Sequence, residues 1–216
     1  MRVRAISAFL VLCAAPLLAQ APAPAPAAQP HASNIGFTYS LPSDWEAVDT
    51  QPSLPVVKEQ QTQAATSEEE KKGIACVQIA LTARHGNPAS VVVIVALPFD
   101  CFGQTMTDKE LPGFATGASE GLKKSFEITN PVYDAYTLGS HSMWIERSTG
   151  SVIGHPDVRY TIETVCTILK KGAVCWMAMA ADDAHLQTFE HGAVTLDSDA
   201  PVALVPASVF AKKPQP

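Results

Sequence analysis

Alternating apolar and polar residues between Tyr133 and Ala180 predict the centre of the fold. Within Asp157–Leu169 the apolar residues of one face are Tyr160, Ile162, Cys166 and Ile168. The residues that face the other way are polar: Arg159, Thr161, Glu163 and Thr167. Because successive side chains of a strand point to opposite faces, this pattern predicts a sheet with one dry face and one solvated face. Strand-like segments at Ser142–Ser148 and Ala173–Ala180 flank it across turn sequences, which predicts an antiparallel meander.

Two helices are predicted to cover the dry face. Thr107 and Glu110 have the spacing of a capping box, and apolar residues follow at intervals of three and four: Leu111, Phe114, Ala118, Leu122 and Phe126. Asp182 is an N-cap candidate for a closing helix with its own apolar stripe: Leu186, Phe189, Ala193 and Leu196. The predicted fold class is therefore α+β, an antiparallel sheet with two main helices packed on it.

The first part of the domain also has strand patterns. Gly73–Asp100 predicts a hairpin, and its second arm, Val91–Leu97, is a continuous apolar run typical of a strand buried on both faces. Between these elements and the N-terminal strand, Asp49–Lys72 is polar and lacks a helical apolar stripe. We expect this insertion to be a surface loop or a solvated helix.

An aromatic strand that runs into a proline–tryptophan corner opens the domain. The residues that form this pattern are Phe37, Tyr39, Pro42 and Trp45. With the order of the later elements, the pattern resembles the Mog1/PsbP-like superfamily over about Asn34 to Leu196. The resemblance implies that superfamily's α/β/α sandwich and, because its members are mostly non-enzymatic and diverse in partners, a binding or accessory module. It supplies no catalytic residue.

The N-terminal residues predict export to the periplasm or the exterior. Residues 1–19 read as a signal peptide, with Arg2 and Arg4 before a short apolar run and small residues near a cleavage point at Ala19. A lipoprotein reading centred on Cys13 is disfavoured because Leu12, which precedes it, is not small. Residues 20–33 form an Ala/Pro-rich linker, 34–196 the single domain and 197–216 a C-terminal tail. After cleavage no apolar run is long enough for an integral membrane segment.

Composition narrows the range of partners. The 216 residues include 15 Lys and Arg against 21 Asp and Glu, a net charge of −6, and no basic cluster exceeds a Lys pair. Phosphate backbones and anionic lipids require a positive surface. Nucleic acid is therefore not an expected partner, which leaves an unknown protein or a small-molecule ligand.

Four cysteines remain in the mature chain: Cys76, Cys101, Cys166 and Cys175. An exported chain meets an oxidising compartment, so these residues are disulfide candidates, and sequence alone leaves three connectivities open. Local geometry favours pairing within each hairpin. The 166–175 pair depends on a two-residue loop at Lys170–Lys171, since a three-residue turn would place these cysteines on opposite faces.

Catalytic signatures are weak. Gly117–Gly121 matches the G-x-S-x-G nucleophile elbow around Ser119, but no strand precedes it and the serine is expected on the solvent side of a helix. Histidines accompany aspartates in the second half of the chain without a zinc-ligand spacing, so no metal site is assigned. No Gly-rich phosphate or dinucleotide motif predicts a cofactor.

The leading hypothesis is an exported, non-catalytic binding or accessory module of the cell envelope. The alternatives are a small secreted serine hydrolase that uses Ser119, and an immunity-type module that occludes another protein. A ligand binder requires an apolar pocket between sheet and helices, and a hydrolase requires Ser119 exposed beside a histidine. An occluding module requires an apolar patch or an open strand edge.

Export and disulfide formation can be tested by intact mass. We expect the chain purified from an oxidising compartment to have the mass of residues 20–216 less four hydrogens, and to gain alkyl groups on cysteine only after reduction. Four thiols that alkylate without reduction would contradict the disulfides, and a retained N-terminus would contradict cleavage.

Overall fold

The computed structural model describes residues 31–41, 44–50 and 54–210. Several sequence predictions lie outside the described residues: the signal peptide with Cys13, the linker as far as residue 30, Pro42, and residues 211–216 of the tail. Among the described helices, none combines the length and apolar character needed to cross a bilayer.

Eleven strands and five helices are described. The strands are β1 His31–Ala32, β2 Phe37–Ser40, β3 Glu46–Ala47, β4 Gln78–His85, β5 Ser90–Pro98, β6 Phe126–Leu138, β7 His141–Val152, β8 His155–Leu169, β9 Gly172–Ala180, β10 Ala193–Leu196 and β11 Val202–Ala203. The helices are α1 Leu54–Ala64, α2 Glu68–Cys76, α3 Phe99–Phe102, α4 Leu111–Leu122 and α5 Asp183–Glu190. The fold class is α+β, as predicted.

The large sheet has seven antiparallel strands in the order β3-β4-β5-β9-β8-β7-β6. Its second half is the predicted meander, which has four strands because β6 begins at Phe126. The sequence prediction placed Phe126 at the end of a helix. Helix α4 instead ends at Leu122, and from Phe126 to Thr129 the apolar and polar residues alternate with the period of a strand. Phe126 is buried in either arrangement.

Both faces of the central strands are buried. Helix α4 covers one face, in a core that includes Phe114, Ala118 and Ile162. The opposite face is covered by helix α5 and by a second sheet of four short strands in the order β1-β2-β10-β11. The solvated face predicted for β8 is therefore wrong over its second half, where Glu163 and Thr167 are fully buried under this second layer.

The second layer includes residues that sequence analysis placed elsewhere. The closing helix stops at Glu190, and Ala193 and Leu196 belong to β10, which pairs with β2. Gly192 lies between the helix and this strand, where only glycine fits, because a Cβ at this position would lie 2.5 Å from the Tyr39 ring. Packed structure also continues past the predicted boundary at residue 196, since Leu204 and Val205 are buried in the same core.

The N-terminal half combines a confirmed hairpin with helices at its ends. Strands β4 and β5 pair as predicted, and β5 is buried along its whole length. Ile74–Cys76, predicted as strand, lies in helix α2. The insertion at 49–72 forms α1 and most of α2, which matches the solvated-helix alternative.

The four cysteines form two pairs at disulfide distance. Cys166 and Cys175 are directly opposite on β8 and β9, with Cα atoms 4.2 Å apart, as in the narrow pairs of an antiparallel ladder. The turn has two residues between Leu169 and Gly172, which is the register that this pairing requires. Cys76 ends helix α2 and Cys101 lies in α3, so their bond joins two helices at the base of the hairpin rather than its two strands.

Removal of the Cys76–Cys101 bond should destabilise the fold through the lost cross-link and, to a smaller extent, through lost packing, because Cys101 is exposed and Cys76 is buried. The bond closes a sequence separation of 25 residues, and loop entropy alone predicts a cost of about 3.5 kcal/mol in the double variant Cys76→Ala/Cys101→Ala. Urea unfolding measures this cost. Under reducing conditions the variant and the native sequence should unfold alike, and a persistent gap would assign the effect to packing instead.

Candidate functional site

Ser119, the candidate nucleophile, lies in the middle of helix α4. Its side chain is 5% exposed, and its hydroxyl has no hydrogen-bond partner among the described residues. A nucleophile elbow holds its serine on a strand-to-helix turn, whereas α4 begins well before Ser119, at Leu111. The prediction that Ser119 faces solvent is wrong, because α4 buries the side of the helix that carries Ser119 as well as its apolar stripe.

The three described aromatic residues of the family-like corner are core residues. The Phe37 ring meets Trp176 edge to face at 5.3 Å, and the Tyr39 hydroxyl donates to the Phe189 carbonyl at 3.0 Å. Trp45 stacks on His85, with ring centroids 5.7 Å apart. The corner therefore attaches the second layer to the large sheet and presents no reactive group.

A histidine cluster lies beside the β4–β5 turn. The rings of His85 and His185 meet edge to face at 4.5 Å. His185 Nδ1 lies 2.8 Å from Ser90 Oγ and 3.1 Å from Asp182 Oδ2. These three residue types suggest a catalytic triad, and Ser90 and His85 were not singled out by sequence analysis.

The geometry of this cluster fits a structural role rather than a catalytic one. A triad places the serine and the carboxylate on opposite ring nitrogens, whereas both groups here contact Nδ1 of His185. Ser90 Oγ also accepts a hydrogen bond from the Ala181 amide at 2.8 Å, and Ser90 is fully buried. The cluster thus attaches the start of α5 to β5. Within the described residues, no group of three or more His, Cys, Asp or Glu side chains is placed to hold a metal ion.

A partly buried charge cluster lies between β7, β8 and α5. Arg147 binds Glu163 at 2.7 Å and also pairs with Glu190. The guanidinium lies 4.5 Å from the ring centroid of Phe210, which packs on it. One cation therefore faces two carboxylates, and Glu163 Oε1 is buried with no hydrogen-bond partner among the described residues.

Burial raises the pKa of Glu163 to about 7, and Glu190 adds to the rise while Arg147 opposes it. The pKa values of two neighbouring tyrosine hydroxyls, Tyr39 and Tyr136, are also raised, by burial and by the nearby Glu163. Sequence analysis assigned Glu163 to a solvated face and missed this cluster. The apolar run of β9 could have indicated the burial of Glu163. A strand buried on both faces implies a second covering layer, and that layer also extends over β8, the neighbour of β9 that carries Glu163.

The outer edge of β6 is the longest unpaired strand edge among the described residues. At the other end of the sheet, β3 has only two residues, whereas β6 has 13. A bulge between Thr129 and Val132, with Asn130 at φ 53°, interrupts its pairing with β7. The regular part of the edge is therefore Val132–Leu138.

The register fixes which amides face outward. Leu138 and His141 flank a two-residue loop, so they exchange hydrogen bonds, and the next inward-facing residues of β6 are Tyr136 and Asp134. Tyr133, Ala135 and Thr137 then direct their backbone groups away from the sheet. The contact of Ala135 agrees with this assignment, because its amide donates to the Asp134 side chain at 2.8 Å rather than to β7.

Exposed apolar side chains accompany this edge. Val132 and Tyr133 are 49% and 53% exposed. Tyr133 packs against half-buried Trp144 of β7, with ring centroids 6.1 Å apart. We call Val132–Leu138 with the Tyr133 side chain the β6 edge.

A shallow depression of about 630 Å³ lies on the outer surface of α5, lined by Leu41, Gln187, Thr188 and His191 among others. It does not lie between the large sheet and helix α4. Its lining is mixed and open to solvent, unlike the enclosed apolar site that a small-molecule binder uses.

The fold can be compared with known proteins. The chain is similar to the solution structure of cyanobacterial PsbP (CyanoP) from Synechocystis sp. PCC 6803, with a TM-score of 0.41 and 14% sequence identity, covering 79% of this chain and 91% of that one. This similarity is one of fold alone. No protein-family model matches the sequence, and no curated protein matches it.

Glu163 should make stability depend on pH. Between its unfolded pKa of 4.5 and its folded pKa of about 7, the folded chain holds a proton that the unfolded chain has released. The contribution of Glu163 to the free energy of unfolding should therefore be largest at or below pH 4.5 and fall by roughly 3 kcal/mol as pH rises through 7.

The variant Glu163→Gln should lack this fall, as measured by urea unfolding across the same pH range. Glu127→Gln, which changes an exposed carboxyl on β6, is the matched control and should retain it. An unchanged pH profile in Glu163→Gln would contradict the assignment, whatever the absolute stability of that variant.

Proposed function

We propose that this protein is an exported, non-catalytic binding module of the cell envelope whose partner is another protein, engaged through the β6 edge. The observation that carries the proposal is a regular, outward-facing strand edge with exposed Val132 and Tyr133 beside it. Unpaired strand edges are ready templates for pairing with another chain, and natural proteins that do not use them usually cover or shorten them.

The other hypotheses have less support. A ligand binder requires an apolar pocket between sheet and helices, and the described depression lies elsewhere and is open. A hydrolase requires Ser119 exposed beside a histidine, and Ser119 is buried within α4. An accessory module that binds or occludes a protein requires an open edge or an apolar patch, and the β6 edge is an open edge with one exposed apolar side chain on each face.

Two disulfide pairs support the envelope location, because such bonds persist in oxidising compartments. The sequence pattern of residues 1–19 adds the export signal.

The test uses a photo-crosslinking amino acid at Tyr133 of the full chain, expressed in its native host. We expect a discrete crosslinked protein that is lost when Ala135→Pro is added. Proline fits an edge position whose amide faces away from the sheet, so this change should preserve pairing with β7 while removing one donor and obstructing a partner strand.

The matched control places the crosslinker at Val56 of helix α1, which is 57% exposed and apolar. Crosslinks that form equally at both positions, or that survive Ala135→Pro in a protein with intact circular dichroism and both disulfides, would overturn the proposal.

A further inference from the structure

We infer that the Cys76–Cys101 bond is a site of thiol–disulfide exchange, at which a dithiol reduces the protein and releases helices α1 and α2 from the domain. We call these two helices, residues 54–76, the α1–α2 unit. The bond lies away from the β6 edge, because α2 and α3 pack against β5 while β6 is the outermost strand of the large sheet. The exchange site is therefore separate from the proposed protein-binding surface.

The two cysteine pairs differ in their access to solvent. Cys166 and Cys175 are 0% and 1% exposed, on the face of the sheet that helix α4 covers. Cys101 is exposed on the short helix α3, although Cys76 is buried. Thiol–disulfide exchange requires a thiolate to reach one sulfur of the bond, so access limits its rate. A reductant can therefore attack Cys101 while the second pair stays protected.

The exchange balances with a dithiol as the reductant. One thiolate of the dithiol attacks Cys101 Sγ and forms a mixed disulfide, while the bond to Cys76 breaks and its electron pair stays on the Cys76 sulfur, which takes a proton from water. The second thiolate then attacks the reductant's own sulfur in the mixed disulfide and displaces Cys101, which is protonated in the same way. The dithiol is oxidised to a disulfide by two electrons, and the two cysteines are reduced to thiols.

Apart from this bond, the α1–α2 unit buries little apolar surface. Among its described side chains and glycines, the buried residues are Gln61, Gly73, Ile74 and Cys76, of which only Ile74 and Cys76 carry apolar side chains. Gln61 Nε2 is buried without a hydrogen-bond partner among the described residues, which opposes the docking of α1. The cross-link at Cys76 therefore supplies much of the attachment of the unit.

Reduction of this bond opens the structure locally. The β4–β5 ladder lies between the two cysteines in sequence and contains neither of them, so its pairing does not depend on the bond. Helix α2 covers Phe102 of α3, since a Cβ at Gly73 would lie 3.8 Å from the ring, which is itself buried. Release of the α1–α2 unit therefore uncovers Phe102 while the sheet persists.

The first test reduces the native, disulfide-bonded chain with dithiothreitol in the absence of denaturant, followed by alkylation, peptide mapping and hydrogen exchange. We expect Cys76 and Cys101 to be reduced at least about 100-fold faster than Cys166 and Cys175, whose reduction requires opening of the core. After this reduction the amides of α1 and α2 should exchange about ten-fold faster, whereas those of β9 should keep their rates.

A monothiol identifies the attacked sulfur. Glutathione carries no second thiol that could resolve its own mixed disulfide, so brief exposure followed by alkylation traps the adduct. We expect the adduct on Cys101 and the alkyl group on Cys76.

A pair of variants tests what holds the α1–α2 unit after reduction. Gln61→Leu replaces the unpartnered amide with an apolar side chain of similar size, so it should lessen the increase in hydrogen exchange. Gln60→Leu, which changes an exposed glutamine of the same helix, is the matched control and should retain the full increase.

Each outcome bears on one step of the inference. Reduction of all four cysteines at one rate, or no reduction before the chain unfolds, would overturn the exchange site. An adduct mainly on Cys76 would overturn the attack at Cys101. Selective reduction without faster exchange in α1 and α2 would overturn the release of the unit, and equal increases in the two glutamine variants would overturn the contribution assigned to Gln61.

Discussion

Strands β5 and β9 carry apolar side chains on both faces, and the rest of the structure depends on covering them. Val92 and Ile94 of β5 face one core while Val93 and Val95 face the other. A single layer of helices would leave half of this apolar surface in water, at roughly 25 cal/mol per Å². The protein therefore has helix α4 with the α1–α3 group on one side, and α5 with the small sheet on the other.

The second layer also explains a buried carboxyl whose charged form is costly. Glu163 would be solvated on a sheet with one dry face, but α5 and β10 remove it from water. Arg147 offsets part of that cost and Glu190 adds to it, so the cluster is stable only with a shared positive charge or a bound proton. Phe210 then covers the guanidinium, which extends the packed domain to the end of the described chain.

The local patterns in the sequence predicted local structure well. The apolar run Val91–Leu97 indicated a central strand, and of the two turn lengths that the sequence left open, the two-residue loop at Lys170–Lys171 sets Cys166 opposite Cys175. What could not be predicted depends on contacts between distant segments. Ala193 and Leu196 have the spacing of a helical stripe, but they lie in β10, which pairs with the distant strand β2. The burial of Ser119 and Glu163 has the same origin, since neither residue differs locally from an exposed one.

The covering layers do not extend over the outer edge of β6, and the way that edge is protected bears on its use. A bulge and Pro131 interrupt its first half, and Asp134 occupies the Ala135 amide. The bulge, the proline and the carboxylate reduce non-specific pairing of this edge with other strands. An edge that was only a liability would also be expected to bury or replace its apolar side chains, yet Val132 and Tyr133 remain exposed. Protection of the backbone by the Asp134 carboxylate, beside an exposed aromatic ring, is the combination expected of an edge that excludes most strands and admits a selected one.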